Sequence, residues 1–258
     1  MDLGLKGRTA IICASSKGLG RGCAEALAAA GVDVTINGRD GETLERTAEA
    51  IRERHGVKVI PVAADVSTPE GQRALLAACP APDILVNNNG GPPFKDFREL
   101  TRAAMLEGVT QNMVTPIELI QKVIDGMAER GFGRIVNITS LSVYMPIYGL
   151  DLSSGARAGL TSFLSGVART YAGRGVTINQ VLPGKFDTDR LRSSFAAAAK
   201  AGKDPEAAAA DQRRAIPAGR FGTAEEFGAA CAFLCSAQAG YITGQSLLVD
   251  GGEFSGLL

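Results

Sequence analysis

Histidine and net charge are what this sequence most lacks. Its 258 residues include one histidine, His55, and 27 Lys plus Arg residues against 27 Asp plus Glu. One histidine rules out a multi-histidine zinc site and, at the end of a predicted helix, counts against a serine–histidine–acid triad. Without an excess of positive charge there is no basic footprint for nucleic acid or a membrane surface. We therefore expect no nucleic-acid partner, no membrane partner and no metal.

The sequence also lacks long apolar runs and paired cysteine motifs. No window approaches the roughly 20 apolar residues that a membrane-spanning helix needs. Residues 1–8 have no cationic segment followed by an apolar one, which a signal peptide would have. The five cysteines form no CxxC pair, a pattern typical of buried thiols in a reducing compartment. A cytoplasmic location is the prediction.

What the sequence does have is a regular alternation of short apolar runs with longer helical patterns. This alternation predicts an α/β fold of Rossmann type, with a doubly wound, mostly parallel sheet of seven strands and helices on both faces. No composition break divides residues 1–258, so we expect a single domain. The predicted strands cover residues 8–13, 32–37, 58–63, 83–87, 134–139, 176–181 and 246–249. The predicted helices cover residues 18–30, 41–54, 69–78, 101–129 (with a kink near Pro116), 153–172 and 224–235.

Residues 185–222 interrupt this alternation. The segment is rich in Ala, Lys, Arg and Asp and follows the carboxyl end of the sixth strand. Ligands of open α/β sheets bind at that edge, so we favour a helical, lid-like insertion over a ligand. A solvated surface insertion is the alternative.

A glycine-containing loop joins the first strand to the first helix. A diphosphate needs bare backbone amides at a helix N-terminus, where the helix dipole is positive. Gly18 and Gly20 meet that need, and the hydroxyls of Ser15 and Ser16 can add hydrogen bonds. The candidate cofactor-binding residues of this loop are Ser15, Ser16, Lys17, Gly18, Leu19 and Gly20.

The end of the second strand indicates which dinucleotide binds. Enzymes built for NAD commonly place a carboxylate there to bond the ribose hydroxyls. This chain has Asn37 at that position and Arg39 two residues later, and Lys17 lies in the glycine loop. Two cations without a strand-end carboxylate suit a 2′-phosphate. We predict NADP(H) rather than NAD(H), although Asp40 could pair with Arg39 and weaken the effect.

Motifs along the whole chain resemble those of the short-chain dehydrogenase/reductase family. The glycine loop resembles the family's TGxxxGxG with Cys13 and Ala14 in the first two positions, and residues 87–90 resemble NNAG with Asn89 in place of Ala. The resemblance implies that Asn112 orders a proton-relay water and that Ser140 is the catalytic serine. It implies further cofactor contacts from Asp65, Val66, Asn88, Asn89, Gly90, Pro183, Gly184 and Thr188.

The resemblance breaks at the reaction chemistry. Family members usually carry Tyr-x-x-x-Lys thirteen residues after the catalytic serine, and those positions hold Ser153 and Arg157 here. Residues four apart share one helix face, so the pair still lies together. Arg157 can bind the nicotinamide ribose and supply positive charge, but it does not release its proton near neutral pH. Ser153 is a much weaker acid than a phenol.

Two tyrosines between these motifs offer a replacement acid. Tyr144 and Tyr148 lie in the loop beyond the fifth strand, where substrate is expected. Either can be the proton donor, and either can instead form an aromatic wall of the substrate pocket. A water held by Ser153 is the third candidate.

Together these features predict an oxidoreductase that transfers a hydride between NADP(H) and a small carbonyl or alcohol substrate, similar to a 3-oxoacyl reductase but with an altered catalytic acid. The alternatives are a dinucleotide-binding protein with little turnover and a non-redox lyase or isomerase on the same scaffold. The resemblance also implies a homotetramer or a homodimer.

Overall fold

A single parallel sheet of seven strands organises the molecule. The structure, a computed structural model, describes residues 2–92, 94–189, 191–193, 195 and 204–256. Its strands are β1 (Thr9–Ile12), β2 (Asp33–Gly38), β3 (Val59–Ala63), β4 (Ile84–Asn87), β5 (Gly133–Ile138), β6 (Val176–Pro183) and β7 (Ser246–Val249). They pair in the order β3-β2-β1-β4-β5-β6-β7. The predicted fold class is confirmed.

Eight α-helices are found in the described part of the chain. They are α1 (Gly18–Ala29), α2 (Gly41–His55), α3 (Pro69–Ala78), α4 (Arg102–Val109), α5 (Thr115–Glu129), α6 (Asp151–Ala172), α7 (Pro205–Arg214) and α8 (Ala224–Cys235). Apolar side chains of α1, α2 and α8 form the core on one face of the sheet. Those of α3, α5 and α6 form the core on the other face. None of these helices is long and apolar enough to cross a membrane.

The strand order reverses between β1 and β4, which lie side by side at the centre of the sheet. In open α/β sheets, ligands bind outside the carboxyl ends of the strands at such a switch point. The loops after β1, β4, β5 and β6 all leave from this edge. They carry the glycine loop, residues 88–90, Ser140 and residues 184–188.

The long predicted helix is interrupted just before Pro116, by a π-helical turn rather than by a simple kink. A π-helical turn, Thr110–Val114, separates α4 from α5, and Pro116 lies in the first turn of α5. A proline ring crowds the carbonyl four residues earlier and offers no N–H. A wider turn before the proline relieves that crowding. It also places Asn112 in the irregular segment, buried against the sheet.

The predicted lid-like insertion is only partly within the described residues. Its ends are joined by a bridge between Phe186 and Gly222, and α7 begins after the capping residue Asp204. The Phe186 ring packs edge-on against Phe227 of α8 at 5.3 Å. Residues 190, 194 and 196–203 lie outside the described residues, so the lid stays a prediction.

Candidate active site

The start of α1 presents bare backbone to the carboxyl edge of the sheet. Its N-cap residue, Lys17, makes no side-chain capping hydrogen bond, and Gly18 has φ +60°. A Cβ on Gly20 would lie 2.4 Å from the carbonyl oxygen of Ala14, so only glycine fits there. A Cβ on Gly18 would lie 3.8 Å from the Thr188 methyl group, so the loop after β6 closes over the glycine loop. Uncapped amides in such a cradle suit a diphosphate.

Buried side chains hold the glycine loop in this shape. Ser15 Oγ donates to the Ile12 carbonyl at 2.7 Å and accepts from the Asn37 amide at 3.0 Å. Asn37 Oδ1 accepts from the Ala14 amide at 3.2 Å, and its Nδ2 donates to the carbonyls of Val62 and Ala64 at 3.0 Å each.

Asn37 and Ser15 are 1% and 0% exposed. Their hydrogen bonds are made within the protein, and the cofactor contact expected for both residues stays a prediction. Asn88 has a similar bracing bond from Nδ2 to the Ala14 carbonyl at 3.1 Å. Ser15, Asn37 and Asn88 therefore hold the glycine loop in its conformation through hydrogen bonds on its buried side.

The two cations expected to bind a 2′-phosphate both lie at the surface. Lys17 and Arg39 are exposed, and no ion pair among the described residues includes either side chain. Asp40, which could have paired with Arg39, accepts instead from the Thr43 amide at 2.7 Å and caps α2. That hydrogen bond lowers the pKa of Asp40, with smaller contributions from Arg46 and Lys17. Thr47 of α2 donates to the Ser16 carbonyl at 2.8 Å, so the glycine loop lies against α2 just before Lys17.

The loops after β3 and β4 are tied together beside the glycine loop. Asp65 accepts from the Ser67 amide at 2.8 Å. Asn89, which replaces the family's alanine, donates from Nδ2 to Ser67 Oγ at 2.8 Å and to the Gln111 carbonyl at 3.2 Å. Its Oδ1 accepts from the Gly90 amide at 2.8 Å. The replacement thus links the loop after β4 to the π-helical turn. The remaining predicted contacts in this region are Ser16 and Leu19, which are partly buried, and Val66, which is buried.

Arg157 connects Ser153 to the end of β5. Its Nε donates to Ser153 Oγ at 3.1 Å, and its Nη1 donates to the carbonyl of Ile138 at 2.6 Å. Ser153 is 5% exposed and Arg157 8%. Ile138 lies two residues before Ser140, whose Oγ accepts from the Ser142 amide at 3.1 Å. Arg157 thus joins the start of α6 to the end of β5, two residues before Ser140.

A small cavity adjoins this centre. Its volume is about 20 Å³, which is room for about one water molecule. Asn112 and Arg157 both line it. Asn112 Nδ2 donates to the Gly108 carbonyl at 3.1 Å, and Asn112 Oδ1 is buried with no partner among the described residues. The cavity thus connects the π-helical turn to the Ser153–Arg157 pair.

A row of hydrogen-bonded, buried amide side chains lies beneath the site. The sequence did not lead us to predict it. Asn87 on β4 donates to Asn137 on β5 at 2.9 Å, and Asn137 donates to Gln180 on β6 at 2.8 Å. The three residues are in register across neighbouring strands. The available signal was an amide residue in the carboxyl half of each of these three strands.

The two tyrosines of the β5–α6 loop differ in their surroundings. Tyr148 is 85% exposed and donates to Asp96 Oδ2 at 3.3 Å. Asp96 raises the pKa of Tyr148, mainly through its negative charge. Tyr144 is 40% exposed and its ring packs against Phe254 at 5.9 Å. Neither hydroxyl forms a hydrogen bond with Ser153, Arg157 or Ser140.

The turn after β6 is packed closely against the C-terminal segment. Pro183 pairs with Val249 of β7, and the Gly184 amide donates to the Val249 carbonyl at 3.0 Å. A Cβ on Gly184 would lie 2.7 Å from the Asp250 Cβ, so glycine is required there.

Fold and site together define the class of Rossmann-type oxidoreductases. The sequence model of a family described as enoyl-(acyl carrier protein) reductase matches residues 13–253. The chain is 33% identical over 258 residues to a 3-oxoacyl-[acyl-carrier-protein] reductase of Aquifex aeolicus, covering 98% of this chain and 100% of the relative. It belongs to the short-chain dehydrogenase/reductase family.

Two solved structures resemble the whole chain. L-sorbose reductase from Gluconobacter frateurii, complexed with NADPH and L-sorbose, matches with a TM-score of 0.95, 28% identity and 100% coverage of both chains. A 3-oxoacyl (acyl-carrier-protein) reductase from Agrobacterium tumefaciens with NADP bound matches with a TM-score of 0.89 and 29% identity, covering 97% of this chain and 96% of the other.

Proposed function

We propose that this protein is an NADP(H)-dependent reductase of ketones or aldehydes in which Ser153, activated by Arg157, takes the place of the usual phenol. The observation that carries the proposal is the buried Arg157 side chain, which bonds both Ser153 and the strand end that precedes Ser140. The cofactor-bound solved structures described above support the choice of dinucleotide.

The residues around the glycine loop fit a dinucleotide that carries a 2′-phosphate. Amides of residues 18–20 would bind the diphosphate, and Lys17 with Arg39 would bind the 2′-phosphate. Asp65, Val66, Asn89 and Gly90 would border the adenine and its ribose, while Pro183, Gly184 and Thr188 would border the nicotinamide. Bound NADPH supplies the hydride.

At the substrate, Ser140 and Ser153 supply hydroxyl groups to the carbonyl oxygen. Ser153 Oγ already accepts a hydrogen bond from Arg157, so its own proton is free to be donated elsewhere. The guanidinium charge also stabilises negative charge that develops on the serine oxygen as that proton leaves. A positioned hydroxyl beside a fixed cation thus replaces a phenol, at reduced efficiency.

The small cavity offers a route by which a proton returns to Ser153 after Ser153 has protonated the substrate oxygen. Arg157 and Asn112 both line it. A water held between them would connect the serine to the π-helical turn. Asn112 is a positioning residue in this scheme, because it acts through that water.

The tyrosines are the alternative proton donors. Tyr148 is the weaker candidate, because its hydroxyl is held by Asp96 at the surface and its pKa is raised there. Tyr144 has a partly exposed ring beside Phe254. Assaying Tyr144→Phe and Tyr148→Phe beside the wild type separates a catalytic phenol from an aromatic wall.

Following NADPH oxidation with a panel of ketones and aldehydes tests the proposal. We expect slow but saturable turnover, reduced at least tenfold by Ser153→Ala, because a positioned acid contributes about 10²–10⁴ in rate. Tight NADPH binding with no turnover on any carbonyl compound would favour a binding protein. No dinucleotide binding at all would favour a lyase or isomerase.

Oligomeric assembly and location are further parts of the proposal. Leu106 on α4 and Phe163 on α6 are 58% and 50% exposed, and these two helices are in contact. Apolar side chains exposed together are typical of subunit interfaces. We propose a cytoplasmic homotetramer or homodimer, and light scattering of the purified protein gives the mass that checks the assembly.

A further inference from the structure

A buried carboxylate stands beside the turn that follows β6. Glu253 has a side chain only 9% exposed, and its Oε1 forms an ion pair with the Lys185 ammonium. Its second oxygen, Oε2, is buried and has no hydrogen-bond partner among the described residues. Burying an ionised oxygen without a donor costs free energy, so such atoms in folded proteins call for a functional explanation.

The segment that carries Glu253 is held rigidly in place. Asp250 caps it from within, accepting from the Gly252 amide at 2.9 Å and from the Phe254 amide at 2.8 Å. Glu253 Oε2 lies 3.3 Å from the position that a Cβ on Gly184 would occupy. The carboxylate is therefore fixed against the turn that borders the nicotinamide side of the site.

The same segment reaches the loop that carries the reaction chemistry. Phe254, next to Glu253, packs its ring against Tyr144. Tyr144 lies four residues after Ser140, and β5 and β6 are neighbouring strands. The C-terminal segment thus bridges the loops after β5 and β6, the two between which the substrate carbonyl is expected.

We propose that Glu253 determines substrate specificity: Oε2 accepts a hydrogen bond from a hydroxyl group on the substrate, and the preferred substrates are hydroxylated carbonyl compounds. The inference rests on the proposed function and names the substrate class of that same site. A carboxylate oxygen accepts O–H donors and repels anions, whereas an apolar group leaves it desolvated without a hydrogen bond. A site built to bond a hydroxyl discriminates strongly against an analogue that lacks one.

Hydroxyacetone and butanone provide a matched pair, since a hydroxyl in one replaces a methyl group in the other. Their binding to the wild type is measured by ligand-observed NMR titration with saturating NADP⁺, which permits no reduction of either ketone. We expect the wild type to prefer hydroxyacetone by about 10- to 100-fold, the range for one hydrogen bond to a charged acceptor. Glu253→Gln should reduce that preference at least fivefold, and Glu129→Gln, an exposed charge change at the end of α5, should leave it unaltered.

The ratio of kcat/KM for the two ketones with NADPH is the second readout. If carbonyl compounds are reduced but the wild type treats the two ketones alike, the inference is wrong while the proposed function stands. If Glu253→Gln weakens NADP⁺ binding instead, Oε2 serves the cofactor carboxamide, and the inference is again wrong. Should Glu253→Gln lose cooperative melting because Lys185 is left unpaired, the double variant Lys185→Gln/Glu253→Gln removes both charges and must show the same loss of preference.

Discussion

Arg157 Nε lies 3.1 Å from Ser153 Oγ, and both side chains are buried on the first turns of α6. The contact is a hydrogen bond from a fixed cation to a hydroxyl group, in the place where relatives usually have a phenol and an ammonium group. Because Nη1 of the same guanidinium is bonded to the Ile138 carbonyl, the pair cannot rotate independently of β5. The two replacements therefore form one unit.

Restoring the usual pair should raise the rate. Ser153→Tyr together with Arg157→Lys supplies a phenol whose ordinary pKa is near 10 in place of a serine hydroxyl. We expect kcat for NADPH-dependent ketone reduction to increase about 10²-fold, the lower end of what a positioned acid contributes. Steady-state kinetics of the double variant beside the wild type is the measurement.

The single variants are the controls for that double variant. Arg157→Lys alone shortens the donor and should lower kcat, because the bonds to Ser153 and Ile138 cannot both be kept. Ser153→Tyr alone should gain less than the double variant, because the new phenol must share its buried place with the larger guanidinium. Equal kcat in the wild type and the double variant would mean that the side chain at position 153 does not supply the proton.

Coenzyme preference should depend on the two exposed cations. Lys17→Ser with Arg39→Asp removes both positive charges and adds a carboxylate that can bond ribose hydroxyls. We expect the ratio of Kd for NADH to Kd for NADPH to fall by about 10- to 100-fold, the worth of one or two charge-assisted hydrogen bonds. Fluorescence titration of both nucleotides checks this, with Arg102→Gln on α4 as the charge control. An unchanged ratio would remove Lys17 and Arg39 from the 2′-phosphate site.

Regular elements were predictable from the sequence because apolar periodicity fixes them. The bounds of α3, α8 and β7 were predicted to the residue. The π-helical turn was not predictable in the same way. Asn112 and Pro116 would fit an ordinary kinked α-helix equally well. Only the packing of this segment against the sheet favours the π-helical turn.

The direction of individual side chains was the part that sequence position could not give. Asn37 lies near the end of β2, and its side chain forms hydrogen bonds with three backbone groups beneath the glycine loop. Tyr148 is close to Ser140 along the chain, yet its hydroxyl meets Asp96 at the surface. Glu253 belongs to no recognisable sequence motif. Its ion-pair partner, Lys185, is far away in the sequence, so sequence position gave no sign of the contact.

The glycine loop contains a strained residue whose replacement should stabilise the fold. Ala14, which stands where relatives have glycine, has φ +44°. A left-handed conformation costs a residue with a Cβ about 1–2 kcal/mol, and glycine loses part of that gain through its greater freedom in the unfolded chain. We expect Ala14→Gly to raise the free energy of unfolding by about 0.5–1 kcal/mol in urea denaturation. Gly20→Ala is the opposite control, since its new Cβ meets the Ala14 carbonyl; a loss of stability in Ala14→Gly would contradict the strain.

The capping box of α8 should make part of the stability depend on acid pH. Arg220 and the Thr223 amide lower the pKa of Glu226 to about 2, from an ordinary value of 4.5. A carboxylate whose pKa is lower in the folded state stabilises the fold fully above its unfolded pKa, and the contribution is lost as the pH falls from about 4.5 towards 2. Glu226→Gln should therefore be less stable than the wild type at pH 7, and the difference should shrink at pH 3. Urea unfolding of both proteins at the two pH values measures this. A difference that is the same at pH 7 and pH 3 would mean that the ionised carboxylate contributes nothing beyond the neutral amide.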